Sequence, residues 1–564
     1  MTDPLAPRMR WWGWGVDGHD APLPRSAAAL LRDELGMGGA PAPPVALDRV
    51  KLAEPALAPA ARAELARAIG EQHIRDDRLT RITHAAGRSY PDLLRLRSGT
   101  GLTAPDAVVY PADHDETAAV LEICHEHAIA VVPFGGGTSV VGGVEPARGP
   151  HHAAVSLDLA RLTGLQRLDA RSQLATFNAG TLGPQVERHL ADHGLTLGHF
   201  PQSFEFSTVG GWAATRSAGQ ASTGYGRIDE LVVALRAATP TGELSSRTVP
   251  ASAAGPDLRE LLLGSEGVLG VITEVTLRVR PRPRHHRYDA YALPGFDAGT
   301  DALRELEQAG AAPDVARLSD EEETRLSLAL AARPAATRLL SAYMNARTRY
   351  GRAGRPHEAG RTAAALTILG FDGDEDDIGR RRARARRILR RHGAVALGAA
   401  PGAAWAKGRF HGAYLRAELM GRGVLVDTLE TATTWTDLTD LHGAVRTALR
   451  TALTARGTRP LVMCHVSHLY PTGASLYFTF LARQEAGAEF AQWRVAKQAA
   501  SDAISAAGAT ITHHHAIGRD HAPWLEAEVG PLGIAALQAV KHRVDPAGIM
   551  NPGKLVASAP PGEP

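Results

Sequence analysis

Apolar and polar positions along the chain alternate in some stretches and cluster in others, and the two patterns predict different elements. From Ala128 to Gly143, AIAVVPFGGGTSVVGG, a β-branched run breaks into three consecutive glycines and then a pair. A short apolar run bounded by glycines predicts a buried strand that enters a tight loop. Pro59 to Gly70 predicts a helix with a proline in its first turn and a glycine at its end. Asp115 to His127 predicts an amphipathic helix leading into the glycine-rich strand, and the polar stretch from Asp76 to Tyr90 predicts a loop. Further on, AAVSLDL and LATFNAG within Ala153 to Leu182 predict strands and a turn. Gly183 to His193 predicts a helix, and Leu231 to Val279 predicts several more strands before the Pro-rich RPRPR at Arg280 to Arg284.

Three other segments stand out. RWWGWG, Arg10 to Gly15, reads as an aromatic plug packed on the body of the protein. The acidic run Gly373 to Ile378 precedes the arginine-rich Arg380 to Arg391. Acids at the start of a helix and cations toward its end complement the helix dipole and form i,i+4 pairs, so a solvated helix is expected here rather than a nucleic-acid patch. In Thr510 to Gly518, TITHHHAIG, the β-like TIT suggests three imidazoles aimed from a strand end.

The glycine runs change the picture toward chemistry. Glycine reaches positive φ and lets successive N–H groups close on a ligand, a concave arrangement that attracts phosphate oxygens. Similar segments follow at Phe204 to Gly219 (FEFSTVGGWAATRSAG), Thr223 to Asp229 (TGYGRID) and Gly264 to Thr273 (GSEGVLGVIT). None is a G-x-G-x-x-G opening a helix, so an ordinary Rossmann dinucleotide site is not expected.

Composition narrows the classes. The 564 residues are 44% hydrophobic and 22% charged, enough apolar content for a sizeable core. With 62 basic and 60 acidic residues the net charge is +2, which gives no overall electrostatic reason to expect nucleic acid. Cys124 and Cys464 cannot build a disulfide framework and suit a reducing compartment. The first residues lack the apolar core of a signal peptide, and no run approaches the ~18 uninterrupted apolar residues of a spanning helix. A cytoplasmic protein is expected.

In order, PFGGGTS, EFSTVGGW, YGxIxxLV and GSEGVLGVIT resemble the FAD-binding domain of the vanillyl-alcohol oxidase and p-cresol methylhydroxylase flavoprotein superfamily. The resemblance implies an α+β protein in which two small subdomains grip an extended FAD and an α+β cap domain covers the isoalloxazine ring. The corresponding layout is a helical N-terminal segment at 1–94, the PCMH-type FAD-binding domain at 95–284, the cap at 285–508 and an active-site segment with the tail at 509–564. It implies cofactor contacts at Pro133, Gly135, Gly136, Gly137, Thr138, Ser139, Gln202, Ser207, Thr208, Gly210, Thr215, Ser217, Glu266, Gly267, Gly270, Val271 and Ile272. Members that attach the flavin covalently through the first loop typically carry His where this chain has Thr138, so a non-covalent FAD is expected.

Within that superfamily the metal-dependent 2-hydroxyacid dehydrogenases typically carry GHxGDGNxH and EHGxG motifs. Here the segments read TGASLYF and HHAIG, with Tyr477 in place of a ligand His and His514 in place of Glu. A hard-cation site of carboxylate and two imidazoles has lost its pattern, and no metal is expected. Those same positions, with WWGWG, ARLSD at Ala316 to Asp320, AYLR at Ala413 to Arg416, ETATTW, ASLYF and THHHAIG, resemble the alkyldihydroxyacetonephosphate synthase family. The resemblance implies replacement of the acyl group of an acyl dihydroxyacetone phosphate by a fatty alcohol, without net redox change. It implies catalytic roles for Tyr477, His514, His515 and Arg317, and substrate contacts at Arg416, His513 and His199. Gln202, where Asp is usual, and Ala516, where Gly is usual after the histidines, depart from the pattern.

The residue types suit these tasks. Arginine offers a fixed, always-charged fork for phosphate. A phenol with a reference pKa near ~10 needs neighbours to act as a base, and imidazolium charge beside it would lower that value. Each histidine has a plain alternative as a structural hydrogen-bond partner. An FAD-linked oxidase or dehydrogenase of a 2-hydroxy acid or alcohol is the second enzymatic reading, and a flavoprotein acting as a binding or electron-transfer partner is the third. Lipid-like substrates point to a peripheral contact with the inner membrane, and a homodimer is compatible with the pattern.

Overall fold

The computed structural model describes residues 9–18, 22–37, 41–330 and 364–556. The glycine-bounded run forms a strand as expected and sits in a small mixed sheet. β1 (Ile74–Arg75), β2 (Ala107–Val109), β3 (Ile129–Phe134) and β4 (Ala153–Asp158) lie in the order β1-β2-β4-β3, with β2, β4 and β3 parallel. Val131 and Val132 are both fully buried, the burial on both faces that a covered parallel sheet imposes. The helix His114–Glu126 lies beside this sheet, its first turn capped by the Asp113 carboxylate accepting from the Glu116 N–H.

A second, antiparallel sheet follows. It contains β5 (Leu165–Asp169) and β6 (Leu174–Asn178); after the short β7 (Leu195–Thr196) come β8 (Val232–Thr239), β9 (Gly242–Ser245) and β10 (Val271–Arg278), in the order β5-β6-β10-β8-β9. The RPRPR stretch is less free than a hinge. β11 (Arg280–Pro281) pairs with β7, which pins the chain before it enters the cap.

The cap is one seven-stranded antiparallel sheet. β12 (His285–Leu293), β13 (Val315–Ser319), β14 (Ala365–Gly373), β15 (Val395–Gly398), β16 (Val424–Thr434), β17 (Leu461–Tyr470) and β18 (Gly473–Arg483) run in the order β15-β12-β14-β13-β17-β18-β16. Strand alternation sorts its faces. Leu476, Phe478 and Phe480 are fully buried in the core that includes residues of the helices Leu438–Ala455 and Glu489–Ala506, whereas Ser475, Tyr477 and Thr479 take the other face. β17 carries a register irregularity between Val466 and Leu469. Such a bulge re-aims side chains, and here it brings His468 to the same side as His465.

Several expectations are corrected. The stretch from Asp76 to Tyr90 is not a polar loop: it contains the helix Arg78–Thr83 and leads into Tyr90–Ser98, with Ile82, Ala86 and Tyr90 fully buried. Asp77 caps the first, and Ser89 with Asp92 makes a capping box on the second. β1 pairs with β2 and the Arg88 N–H donates to Ser139 O, so residues from Ile74 onward pack with the flavin loops rather than with an N-terminal segment ending at 94. The arginine-rich helix spans Glu375–Arg391 and is more than a solvated face. It buries Ile378, Ala385, Ile388 and Leu389, and Arg381 and Arg382 reach Asp314 and Asp289 at 2.9 and 2.6 Å. Residues 510–512 form no strand, so the histidines are presented from a loop. Among the described residues no helix is long and apolar enough to cross a membrane.

Phe478 tests how far the cap core supports the active face. Phe478→Ala is expected to cost about 3–5 kcal/mol, read as a lower denaturant midpoint of the cap. A loss below about 1 kcal/mol would show that the site face does not depend on this core.

Candidate active site

The glycine loop works by having no side chains. A Cβ on Gly136 would lie 1.6 Å from Phe206 O, and one on Gly135 would lie 2.4 Å from Thr208 Oγ1. Gly137 sits at φ +66°, which a residue with a Cβ rarely adopts. The loop therefore lies backbone to backbone against residues 206–208, beside an open cleft walled by Gly135, Gly136, Gly180, Thr208, Asp158 and Arg88. A bare-backbone cradle opening on a cleft fits an extended, phosphate-bearing flavin.

Of the expected cofactor residues, Gly135, Gly136 and Thr208 stand in this wall. Most of the others hold the wall in shape. Ser139 Oγ accepts from the Gly143 N–H at 3.0 Å, and Ser207 Oγ accepts from Trp212 Nε1 at 2.7 Å. The Gly210 N–H donates to Ala179 O, and Thr215 Oγ1 donates to Gly211 O. Pro133 packs under Gly267, while Gly270, Val271 and Ile272 open β10. Thr138 is half-buried beside them. Two residues depart from expectation. Gln202 is exposed and accepts from Gln220 Nε2 at 3.0 Å, outside the cleft wall. Glu266 is buried, with its two carboxylate oxygens accepting the N–H groups of Ile517 and Gly518 at 2.8 and 2.7 Å, so it clamps the histidine loop. The wall also contains Met9, Arg88 and Asp158, which sequence reasoning missed. RWWGWG is nearer the site than a remote plug: Trp14 meets Phe206 edge-on at 5.6 Å, and Arg10 O accepts from Arg88 Nη2.

The catalytic candidates converge on the free face of the cap sheet. Tyr477 on β18 lies opposite Glu430 on β16 and His465 on β17. Its ring stacks on His465 at 4.8 Å, meets His515 edge-on at 5.4 Å and lies 6.0 Å from His514. Arg317 reaches this group through His465, donating to its Nδ1 at 3.1 Å and to Glu323 Oε1 at 2.6 Å. Arg416, on the helix Gly412–Gly421, donates to Arg88 O at 2.8 Å and Thr428 Oγ1 at 3.2 Å, which ties the cap to the flavin unit. His513 contacts Tyr470 and His514. His199 is buried against Trp212, with Nε2 on Ser217 Oγ at 3.2 Å and Nδ1 without a hydrogen-bond partner.

Glu430, the first residue of the ETATTW segment, is not among the site residues that the resemblance implies. Its carboxylate accepts the consecutive backbone N–H groups of His513, His514 and His515, and Thr512 Oγ1 at 2.7 Å. Three successive N–H groups make a nest for an anion, and the protein supplies that anion itself. Among the described residues two sets could hold a cation, His468 with His513 and His514, and Glu430 with His514 and His515. The second restores a carboxylate and two imidazoles that the motifs had lost, but its carboxylate is already engaged by the loop.

Burial sets the protonation states. It lowers His513, His514 and His515, so these rings are neutral at pH 7 and supply no imidazolium charge to Tyr477. Burial raises the Tyr477 phenol, opposed by the Thr428 hydrogen bond and the Arg416 cation. Glu323 is held down to about 2: burial raises it, but His465 and Arg317 outweigh burial.

Residues 105–246 match the model of an FAD binding domain, and residues 282–555 match that of the C-terminal domain of FAD linked oxidases. The chain is 32% identical to alkyldihydroxyacetonephosphate synthase of Dictyostelium discoideum over 98% of its own length and 94% of that protein. This chain belongs to the alkyldihydroxyacetonephosphate synthase family. The Trypanosoma brucei brucei member is 32% identical over 88% of this chain and 80% of its own. A solved structure of an alkyldihydroxyacetonephosphate synthase superposes with a TM-score of 0.83 at 30% identity, covering 97% of this chain and 99% of that one. The fold class and the FAD cofactor read from the motifs stand on these family matches.

Two predictions follow from the cradle and from the buried imidazoles. Gly136→Ala should yield protein with little bound FAD, seen as loss of the flavin absorbance; normal flavin content would show that the loop does not depend on a bare backbone. The pKa of His199 and of His521 is lowered to about 3, chiefly by burial. A lowered histidine contributes stability that is full above its unfolded value near 6.5 and is lost as pH falls toward the folded value. The melting temperature should therefore drop steeply from pH 6.5 downward, each such ring contributing about 1.4 kcal/mol per pH unit. A flat profile between pH 7.5 and 5 would contradict neutral burial.

Proposed function

We propose that this chain is an FAD-dependent alkyldihydroxyacetonephosphate synthase, which exchanges the acyl group of an acyl dihydroxyacetone phosphate for a fatty alcohol without net redox change. Membership of the family over nearly the whole chain supports the reaction class. The observation that carries the residue roles is the placement of Tyr477 between His465 on one side and His514 and His515 on the other, with Thr428 and Arg416 at its hydroxyl.

When bound, FAD supplies an electron-accepting ring system against which the substrate carbon is activated. The chain's own residues do the rest. Arg416, already anchored to Arg88 O and Thr428, presents its remaining donors to the phosphate, since a guanidinium keeps its charge in a buried site. Tyr477 removes the proton from the substrate carbon, aided by the Thr428 hydrogen bond and the Arg416 charge that favour its ionised form. Neutral His514 and His515 can accept the proton of the incoming alcohol. Arg317 acts one step back, fixing His465 under the Tyr477 ring. With Thr138 in the first loop there is no imidazole to bond the flavin, which supports a non-covalent cofactor. Substrates with long chains favour a peripheral position at the cytoplasmic side of a membrane.

Purified holoenzyme given palmitoyl dihydroxyacetone phosphate and labelled hexadecanol under anaerobic conditions should form labelled ether with no lasting flavin bleaching. Tyr477→Phe should lower that rate by at least about 10²-fold with flavin content unchanged. Bleaching by 2-hydroxy acids without ether product would replace the reading with an FAD-linked dehydrogenase.

A further inference from the structure

The exchange proposed above releases a proton. An ester and an alcohol become an ether and a free carboxylate, which is ionised at neutral pH, so the alcohol's hydroxyl proton must leave a buried site in every turnover. Resting on that reading, we infer that His514, His513 and Tyr470 form a proton relay from the substrate side of the cap sheet toward solvent.

The contacts are continuous. His514 Nδ1 lies 2.9 Å from His513 Nδ1, and His513 Nε2 lies 2.6 Å from the Tyr470 hydroxyl. Tyr470 ends β17 and is half-buried at the far end of the chain of bonds. Burial pushes the Tyr470 phenol up to about 12, opposed by the charge and hydrogen bond of Arg227. Arg227 itself faces Asp229, whose Oδ1 is 3.1 Å from its Nε on the adjoining turn. From the other sides, Glu430 Oε2 is 3.6 Å from His514 Nδ1, and His468 stacks on His513 at 4.9 Å with its own Nδ1 on Ser222 Oγ.

Two imidazoles that meet Nδ1 to Nδ1 must divide the roles, one donating and one accepting, so their tautomers are coupled. In the loaded polarity His514 Nδ1–H donates to His513 Nδ1, and His513 Nε2–H donates to the Tyr470 oxygen. A proton arriving on His514 Nε2 displaces the Nδ1 proton to His513, which releases its Nε2 proton to Tyr470, and the phenol's original proton passes to water. Each ring ends neutral in its other tautomer, one proton has crossed, and no electrons have moved. Burial, which lowers both imidazoles, favours this concerted path over a standing imidazolium.

The test is Tyr470→Phe in the holoenzyme, which deletes one oxygen and leaves the β17 main chain, including the acceptor for Trp435 Nε1, in place. The expected result is a fall in kcat of about tenfold or more with KM and flavin content unchanged, a larger solvent deuterium effect, and partial rescue by added imidazole. Unchanged kcat would overturn the relay, and so would a loss that imidazole does not rescue or that comes with a raised KM. Should the variant fold poorly, the wild-type proton inventory decides: curvature supports several protons in flight, a straight line overturns it. A stoichiometric first-row metal in the wild-type holoenzyme that His468→Ala removes would also overturn it, because a cation would occupy the lone pairs the relay uses. Absence of ether product from wild-type enzyme would instead sink the functional reading on which the relay rests.

Discussion

The site depends on the Glu430 carboxylate. It sits fully buried on β16, the last strand of the cap sheet, and accepts three consecutive N–H groups of the histidine loop, with the Thr512 hydroxyl as a fourth donor. Burying an ion is costly unless it is densely hydrogen-bonded; burial raises the Glu430 carboxyl, but the adjacent His514, His515 and His513 and the hydrogen bond from the His514 N–H outweigh it and hold it well below the ordinary carboxylate range. The same bonds set the loop's course, which leaves three adjacent imidazoles no choice of where to stand. Glu266 accepts the N–H groups of Ile517 and Gly518 in the same way from the flavin side. One loop is thus held by two carboxylates that belong to different halves of the molecule.

This double attachment explains why cap and cofactor cleft behave as one site. Arg416 crosses the same boundary by donating to Arg88 O, and Arg88 in turn donates to Ser139 O and Arg10 O. The chain's final described residues add a strap: Asn551 Nδ2 donates to Gly143 O and Glu266 O, and Lys554 Nζ to Glu145 O, all in the flavin loops. Misplacement of a reacting group by about 1 Å can cost on the order of 10²-fold in rate, so such cross-bracing belongs to catalysis as much as to stability.

Burial then decides the chemistry. Tightly packed imidazoles stay neutral, the phenol is weakened as an acid, and positive charge near Tyr477 comes from a guanidinium that cannot lose it. Proton movement through neutral hydrogen-bonded groups suits such a site better than formation of an isolated buried cation.

How much of this was legible differs from element to element. Glycine spacing and motif order in the sequence were enough to place the cofactor loop, because a bare-backbone turn is a local feature, and the association of Tyr477 with His514 and His515 came from the family resemblance of the ASLYF and THHHAIG segments. The stretch from Asp76 to Tyr90 reads locally as a polar loop, because the burial of Ile82, Ala86 and Tyr90 comes from partners far along the chain. Glu430 lies in ETATTW, one of the segments that carry the family resemblance, but neither it nor His465, His468 or Tyr470 shows its role locally: an isolated acid or histidine in a strand has the same pattern whether it faces solvent or a site. Their roles come from strand order, from the β17 bulge that turns His468 to the active face, and from a loop that returns more than eighty residues after Glu430 to occupy its oxygens. Sequence determined which groups were present and which strand faces they could take; tertiary packing decided which of them meet, and by burying them, which are charged.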